Sequence, residues 1–154
     1  MRIALGSDHV GFDLKQLVRG WLAEDGIDVL DVGPESFDPT DDYTDFARRV
    51  AQSVARGDAD LGIVVCSTGQ GSCMAANKVK GIRAALCHGI FCARMSKLHN
   101  DANVLCLGAS VVGALLAREI VTAWLATSFT GEERHCRRIE KMARIESDRE
   151  APQQ

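Results

Sequence analysis

The sequence contains no apolar run that approaches the roughly eighteen residues of a membrane-spanning helix. Its N-terminal residues, MRIALGSDHV, form too short an apolar stretch for a secretory signal. With 18 basic against 21 acidic residues, it also lacks the basic excess of proteins that bind nucleic acids or anionic membranes. We therefore expect a cytoplasmic protein without a nucleic-acid or membrane partner.

No two of the cysteines have the C-x-x-C spacing that is typical of zinc and redox sites. Most of them lie in apolar runs, which favours free thiols in a reducing compartment over disulfides. The cysteines are Cys66, Cys73, Cys87, Cys92, Cys106 and Cys136. The sequence therefore predicts neither a metal site nor a disulfide framework.

Both common glycine-rich nucleotide motifs, G-x-x-x-x-G-K-[ST] and G-x-G-x-x-G, are absent, as are internal repeats and low-complexity tracts. What is present is a chain of 154 residues with 46% hydrophobic content, enough for the core of one domain. We expect a single domain over residues 1–146 and a polar C-terminal tail over residues 147–154.

Short apolar runs rich in Val, Ile and Leu alternate along the chain with longer segments of helical periodicity. The predicted strands are Arg2–Gly6, Asp28–Val32, Leu61–Cys66, Arg83–Cys87 and Asn103–Leu107. The predicted helices are Phe12–Glu24, Tyr43–Arg56, Gly71–Lys78, Phe91–Lys97 and Val111–Ala126, with a last helical stretch from about Arg134. This alternation is typical of a doubly wound α/β fold with a parallel sheet, and the flavodoxin-like strand order 2-1-3-4-5 is the natural expectation.

Ligands of such a sheet bind at the carboxyl ends of the strands. Asp8 and His9 follow the first strand, the acidic loop Pro34–Asp42 follows the second, and a small-residue loop, Cys66–Ser72, follows the third. Backbone N–H groups of a glycine loop can stabilise an anion. Cys66 is therefore a candidate nucleophile or general base, although a small apolar residue that ends a strand is an equally good interpretation.

A basic cluster, Arg134-His135-Cys136-Arg137-Arg138, begins the last helical stretch. Arg134 and Arg138 are four residues apart, so they share one helix face and can hold a phosphate by bidentate contacts. An ordinary solvated basic surface is the alternative interpretation.

His99 and Asn100 directly precede the fifth strand, which places them near the amino edge of the sheet. That edge is opposite to the site of their own subunit. If His99 is catalytic, it must reach the cleft of a neighbouring subunit, and the active protein is at least a dimer. If it is not catalytic, it caps a loop.

Six short motifs occur in an order and spacing that match a known family over about residues 2–145. They are Gly6-Ser7-Asp8-His9-Val10-Gly11, Asp42-Tyr43, Cys66-Ser67-Thr68-Gly69, Ala75-Ala76-Asn77-Lys78, Gly81-Ile82-Arg83-Ala84-Ala85 and His99-Asn100-Asp101-Ala102-Asn103-Val104-Leu105. The sequence resembles the ribose-5-phosphate isomerase B family, which also includes galactose-6-phosphate and allose-6-phosphate isomerases. The resemblance implies a Rossmann-like, three-layer α/β/α sandwich around five parallel strands. It also implies a homodimer or tetramer with active sites shared between subunits, and no metal or cofactor.

The activity implied by the resemblance is aldose–ketose isomerisation of a sugar phosphate, with ribose 5-phosphate and ribulose 5-phosphate as the expected pair. Cys66 would move a proton between C2 and C1 through an enediolate, and His99 would open the sugar ring. The implied catalytic residues are Cys66, Thr68, His99 and Asn100. The implied substrate-binding residues are Asp8, His9, Tyr43, Ser67, Gly69, Gly71, Arg134 and Arg138.

Three positions depart from the family pattern: Ser67 replaces a usual glycine, Thr44 replaces a usual proline, and Ser110 replaces an arginine that contacts phosphate in many members. Some members carry a glutamate base where this chain has Ser72, which leaves Cys66 as the base candidate of the loop. The missing arginine could change the preferred substrate to another pentose, tetrose or hexose phosphate.

Two other classes of function remain as alternatives. A non-catalytic module that binds sugar phosphates or nucleotides can use the same fold, since a fold does not fix a function. A thiol or metal protein is the other alternative, although the cysteine spacing offers no tetrahedral ligand set.

Overall fold

Strands and helices alternate along residues 1–150, the part of the chain that the computed structural model describes, with side chains described for residues 1–147. The strands are β1 Arg2–Ser7, β2 Asp28–Asp31, β3 Leu61–Cys66, β4 Ala84–Leu86 and β5 Val104–Gly108. The helices are α1 Phe12–Glu24, α2 Tyr43–Ala55, α3 Gln70–Ala76, α4 Ile90–Asn100, α5 Ala114–Leu125 and α6 Glu133–Glu150. The five strands predicted from the apolar runs are confirmed.

All strand pairs are parallel, and the sheet has the order β2-β1-β3-β5-β4. The predicted order 2-1-3-4-5 is therefore wrong in its last two strands. Every residue of β5 is buried, whereas the three residues of β4 are half-buried. A strand that is apolar on both faces is stabilised in the sheet interior, so β5 lies beside β3 and the short β4 forms the edge.

Helices cover both faces of the sheet and complete three layers. On one face, α1 and α5 bury Val18, Leu22 and Trp124 in a cluster with the odd-numbered side chains of β1 and β3. On the other face, α2 and α3 bury Val50 and Ala76. The predicted α/β/α sandwich is confirmed, and its three-layer packing leaves the strand ends free for a site.

Helix α6 continues through residues 147–150, where the polar tail was predicted to begin. Residues 151–154 lie outside the described residues, so the division into a domain and a tail stays a prediction. None of the helices formed by residues 1–150 has the length and apolar character needed to cross a membrane.

Candidate active site

The first part of the site forms where β1, β3 and β5 end side by side. Ser7 of β1 pairs with Val65, and Cys66 of β3 pairs with Gly108. The Asp8 N–H donates to the Val65 carbonyl oxygen at 3.3 Å, which ties the β1 turn to β3. A Cβ atom at Gly11 would overlap this same carbonyl, so the close approach requires glycine. The segments after β1 and β3 therefore meet at one edge, as predicted.

The Cys66 side chain lies at this edge and is 4% exposed. Its Sγ accepts a hydrogen bond from the Gly69 N–H at 3.2 Å and lies 3.1 Å from the Ser72 hydroxyl oxygen. The Ser72 hydroxyl is fully buried and donates to the Gly69 carbonyl oxygen at 3.1 Å. The Gly69 N–H can stabilise the charge of an ionised sulfur, and the Ser72 hydroxyl adds a second donor when its single proton turns from the Gly69 carbonyl oxygen to Sγ.

The loop after Cys66 is held close to the end of β5. Gly69 has φ 78°, a left-handed conformation that favours glycine. A Cβ atom at Gly108 would lie 2.6 Å from the Thr68 carbonyl oxygen, so β5 also needs a glycine there. The Ser67 and Ser110 hydroxyl oxygens are 3.2 Å apart, which brings two departures from the family pattern into contact.

Tyr43, the first residue of α2, places its ring directly over Gly71. A Cβ atom at Gly71 would lie 2.6 Å from Cζ and 2.8 Å from the hydroxyl oxygen of Tyr43. The Tyr43 side chain is 40% exposed and lies beside the Cys66 loop. The predicted placement of both residues at the same site is consistent with this contact.

Asp8 and His9 lie on the β1 side of the cleft. Asp8 Oδ1 accepts the Gly11 N–H at 2.8 Å, and burial raises the pKa of this carboxyl despite that hydrogen bond. His9 Nδ1 lies 2.7 Å from Asp41 Oδ1, and the hydrogen bond with Asp41 raises the pKa of the imidazole. The carboxylates of Asp41 and Asp8 therefore favour the protonated form of the His9 imidazole.

His99, Asn100, Arg134 and Arg138 form a second group. His99 lies in the last turn of α4, and its ring stacks on the ring of His135 with centroids 4.4 Å apart and planes 14° apart. His135 is buried, which lowers its pKa. Arg134 and Arg138 are exposed on the first turns of α6, where Arg134 Nε pairs with Glu132 at 2.8 Å.

These two groups lie at opposite edges of the sheet, because Cys66 ends a strand whereas Asn100 comes just before β5 begins. One chain therefore does not bring Cys66 and His99 together. His99 and Asn100 are the last two residues of α4 and directly precede the short connection to β5. Among residues 1–150, no group of three His, Cys, Asp or Glu residues is arranged to hold a metal ion.

Sequence reasoning missed three residues of the carboxyl edge. Ser72 contacts the Cys66 sulfur, Asp41 contacts His9, and His88 Nε2 lies 3.1 Å from the Thr68 carbonyl oxygen. His88 follows the end of β4, so the rule that selected the first and third strands could have found it. Nothing in the local sequence singles out Asp41 among the acidic residues of its loop.

Comparison with known proteins decides the family. Residues 3–142 match the sequence profile of the family described as Ribose/Galactose Isomerase. The chain belongs to the ribose/galactose isomerase family. This isomerase is 47% identical over 148 residues to ribose-5-phosphate isomerase B of Escherichia coli (strain K12). The matched region covers 96% of this chain and 98% of the relative.

Two further relatives of the ribose/galactose isomerase are informative. The structure of Clostridium thermocellum ribose-5-phosphate isomerase B matches it with a TM-score of 0.94 at 47% identity, covering 96% of this chain and 99% of the other. D-erythrulose-4-phosphate isomerase 2 of Mycolicibacterium smegmatis is 44% identical over 131 residues, 84% of this chain and 86% of the relative. The family predicted from the six motifs is confirmed.

The contact between Gly71 and Tyr43 gives a first prediction for this isomerase. In Gly71→Ala the new methyl group overlaps the tyrosine ring, which can swing outward because it is partly exposed. We expect kcat/KM to fall by about tenfold or more, since small displacements of substrate-positioning groups are costly, with little change in melting temperature. Steady-state kinetics and thermal unfolding measure the two effects.

Gly20→Ala is the matched control, because a Cβ atom at Gly20 in α1 meets nothing within 4 Å. Unchanged kinetics in Gly71→Ala would mean that the Tyr43 ring does not contribute to the site.

Proposed function

We propose that the protein interconverts ribose 5-phosphate and ribulose 5-phosphate. The observation that carries the proposal is the position of Cys66, a sulfur at the carboxyl edge of the sheet with a backbone N–H and a hydroxyl within hydrogen-bond distance. Membership of the ribose/galactose isomerase family and the 47% identity with an enzyme named ribose-5-phosphate isomerase B support it.

In the proposed reaction, the Cys66 thiolate removes the proton from C2 of the open-chain aldose. The electron pair moves toward the C1 carbonyl oxygen and produces a cis-enediolate. Return of the proton from sulfur to C1, with the O2 hydroxyl proton passing to O1 as O2 becomes the carbonyl oxygen, yields the ketose. Proton transfer by one positioned group between neighbouring carbons is general acid–base catalysis. The thiol and nearby imidazoles supply the proton transfers, so the proposal uses no metal or cofactor.

The enediolate needs hydrogen-bond donors near its oxygens. The backbone N–H groups around Gly69 and Gly71 are candidates on the Cys66 side, and the Asn100 amide is a candidate from a second subunit. Thr68, which is exposed at the mouth of the loop, would hold the sugar oxygen together with Ser67. Asp8 and Tyr43 would line the sugar pocket.

A homodimer completes the proposed site. Because His99, Asn100, Arg134 and Arg138 lie at the amino edge of their own sheet, they would reach the Cys66 cleft of the second subunit. His99 would open the sugar ring, with Thr68 or Asp8 of the first subunit. The arginine pair, exposed and four residues apart on α6, would hold the phosphate together with His9.

A tetrose phosphate is the second candidate substrate. Ser67 and Ser110 place two uncharged hydroxyls, 3.2 Å apart, at this part of the edge. Loss of one charged hydrogen bond to phosphate corresponds to about 1.5–3 kcal/mol. One relative is named for D-erythrulose 4-phosphate, which has one carbon fewer than a pentose phosphate.

Turnover of ribose 5-phosphate, D-erythrulose 4-phosphate and allose 6-phosphate under the same conditions tests the proposal. We expect the largest kcat/KM for ribose 5-phosphate. A larger value for the tetrose would assign the protein to the second candidate, and turnover of none of the three would contradict sugar-phosphate isomerisation.

We also propose a cytoplasmic location. The structure holds all six cysteines as free thiols, three of them buried. Free thiols are typical of a reducing compartment.

A further inference from the structure

The loop between β2 and α2 delivers one carboxylate to His9. Asp41 Oδ1 accepts the His9 backbone N–H at 3.0 Å and lies 2.7 Å from ring atom Nδ1. Two contacts to one oxygen fix both the main chain and the ring of His9. The Phe37 ring adds a T-shaped contact with the imidazole, with centroids 6.1 Å apart and planes at 89°. The imidazole is therefore held on two sides by the same loop.

Asp41 is almost enclosed, since its side chain is 9% exposed. Its second oxygen, Oδ2, is buried and has no hydrogen-bond partner within the described part of the chain. A buried carboxylate with an unpaired oxygen is unfavourable unless a positive charge lies beside it. A protonated His9 supplies that charge at 2.7 Å.

The direction of the Nδ1 contact determines what the other ring nitrogen can do. A carboxylate oxygen that already accepts the His9 N–H can only accept again, so Nδ1 carries a proton. In a neutral ring, Nε2 would then be a bare acceptor and would repel a phosphate oxygen. In the protonated ring, Nε2 is a charged donor, the kind of group that binds phosphate strongly.

We propose that Asp41 is the positioning residue of the phosphate site. It fixes His9 through Nδ1 and holds the ring in the doubly protonated form, whose Nε2–H donates to the substrate phosphate. This role deepens the function proposed above and rests on it for the identity of the phosphate ester. Asp41 itself acts through His9 and does not touch the substrate.

The charges that face His9 all favour the protonated ring within one chain. Asp8 comes from the β1 turn, and Asp38 and Asp41 come from the loop before α2; each raises the pKa of His9, with Asp41 the largest cause. In the proposed dimer, Arg134 and Arg138 of the second subunit face the same phosphate, and their positive charges lower the pKa of His9. They are unchanged in the variants below, so their effect cancels in each comparison.

The variant Asp41→Asn tests the proposal through the ring itself and through a simple anion. We expect the His9 pKa, followed by NMR, to fall toward its ordinary value of 6.5. Sulfate is the probe, because its charge stays constant between pH 6 and 8. Its dissociation constant should rise by about three- to tenfold near pH 7.5, and the difference should narrow toward pH 6, where most rings are protonated in both proteins.

The kinetics of Asp41→Asn should show the same loss of anion affinity. We expect a raised KM for ribose 5-phosphate near pH 7.5, with kcat nearly unchanged. Asp38→Asn is the matched control, because it removes the same charge from the same loop, and Asp38 Oδ1 accepts hydrogen bonds from the backbone N–H and the hydroxyl of Thr40. We expect it to have a much smaller effect on the His9 pKa and on sulfate.

An unchanged His9 pKa in Asp41→Asn would overturn the proposal, as would a loss of sulfate affinity that is equal at every pH. Should Asp41→Asn fail to fold, the wild-type protein still tests the proposal. The pKa of His9 must lie above 6.5, and sulfate affinity must fall with rising pH at a midpoint equal to that pKa. If both hold while ribose 5-phosphate is not turned over, the role of Asp41 stands and the assigned substrate is wrong.

Discussion

Cys66→Ala is expected to lower kcat by about 10²- to 10⁴-fold while KM for the sugar phosphate stays nearly unchanged. The sulfur is the proposed base, and the groups proposed to hold the phosphate lie elsewhere in the cleft. Solvent-proton exchange at the substrate carbon should be lost together with turnover. Both are measured by following isomerisation in heavy water by NMR.

Two further cysteine variants make this result specific. Cys92→Ala removes an exposed thiol of α4, distant in sequence from the loop, and should leave the kinetics unchanged. Cys66→Ser keeps a hydrogen-bonding group beside Gly69 and Ser72 but replaces the thiol by a much weaker acid, and should be almost as inactive as the alanine variant. Retained proton exchange in Cys66→Ala would identify another residue as the base.

Mixing two inactive variants should restore activity if each site is shared between subunits. Cys66→Ala and His99→Gln each remove one half of the proposed site, and we expect each homodimer to lose about 10²-fold or more in activity. In a mixed dimer, one of the two sites receives an intact Cys66 and an intact His99. Random exchange makes half of the dimers mixed, so activity should recover to about a quarter of wild type.

The exchange is carried out by co-expression of the two variants or by joint refolding, followed by the turnover assay. Cys66→Ala mixed with Cys66→Ser is the matched control and should show no recovery, because both variants damage the same half. Absence of recovery with His99→Gln, in samples whose mixed dimers are demonstrated by mass spectrometry, would contradict a site shared between subunits.

The alternation of strands and helices was predictable because each element carries its own hydrophobic period. The order of the last two strands was not, since Arg83–Cys87 and Asn103–Leu107 are both short and apolar. The difference lies in burial: β5 is buried along its whole length, whereas β4 is only half-buried. That distinction depends on the connection from β3 to β4 passing over the position that β5 later fills, which a single strand's sequence does not encode.

The position of the site was predictable to the level of strand ends. Asp8 and Cys66 follow strands directly, so the geometry of a parallel sheet alone places them at one edge. The contacts of Ser72 and Asp41 were not predictable in the same way. Ser72 reaches the Cys66 sulfur only because the chain turns at Gly69, and Asp41 reaches His9 through the path of a nine-residue loop, Pro34–Asp42.

The edge position of β4 has a consequence for the order in which the sheet assembles. β4 is synthesised before β5, yet within the described sheet its only strand partner is β5. β5 in turn pairs with β3, which it can join without β4. Native pairing of residues 84–86 therefore requires that β5 has already joined the sheet. The backbone amides of residues 84–86 become exposed to solvent whenever β5 detaches.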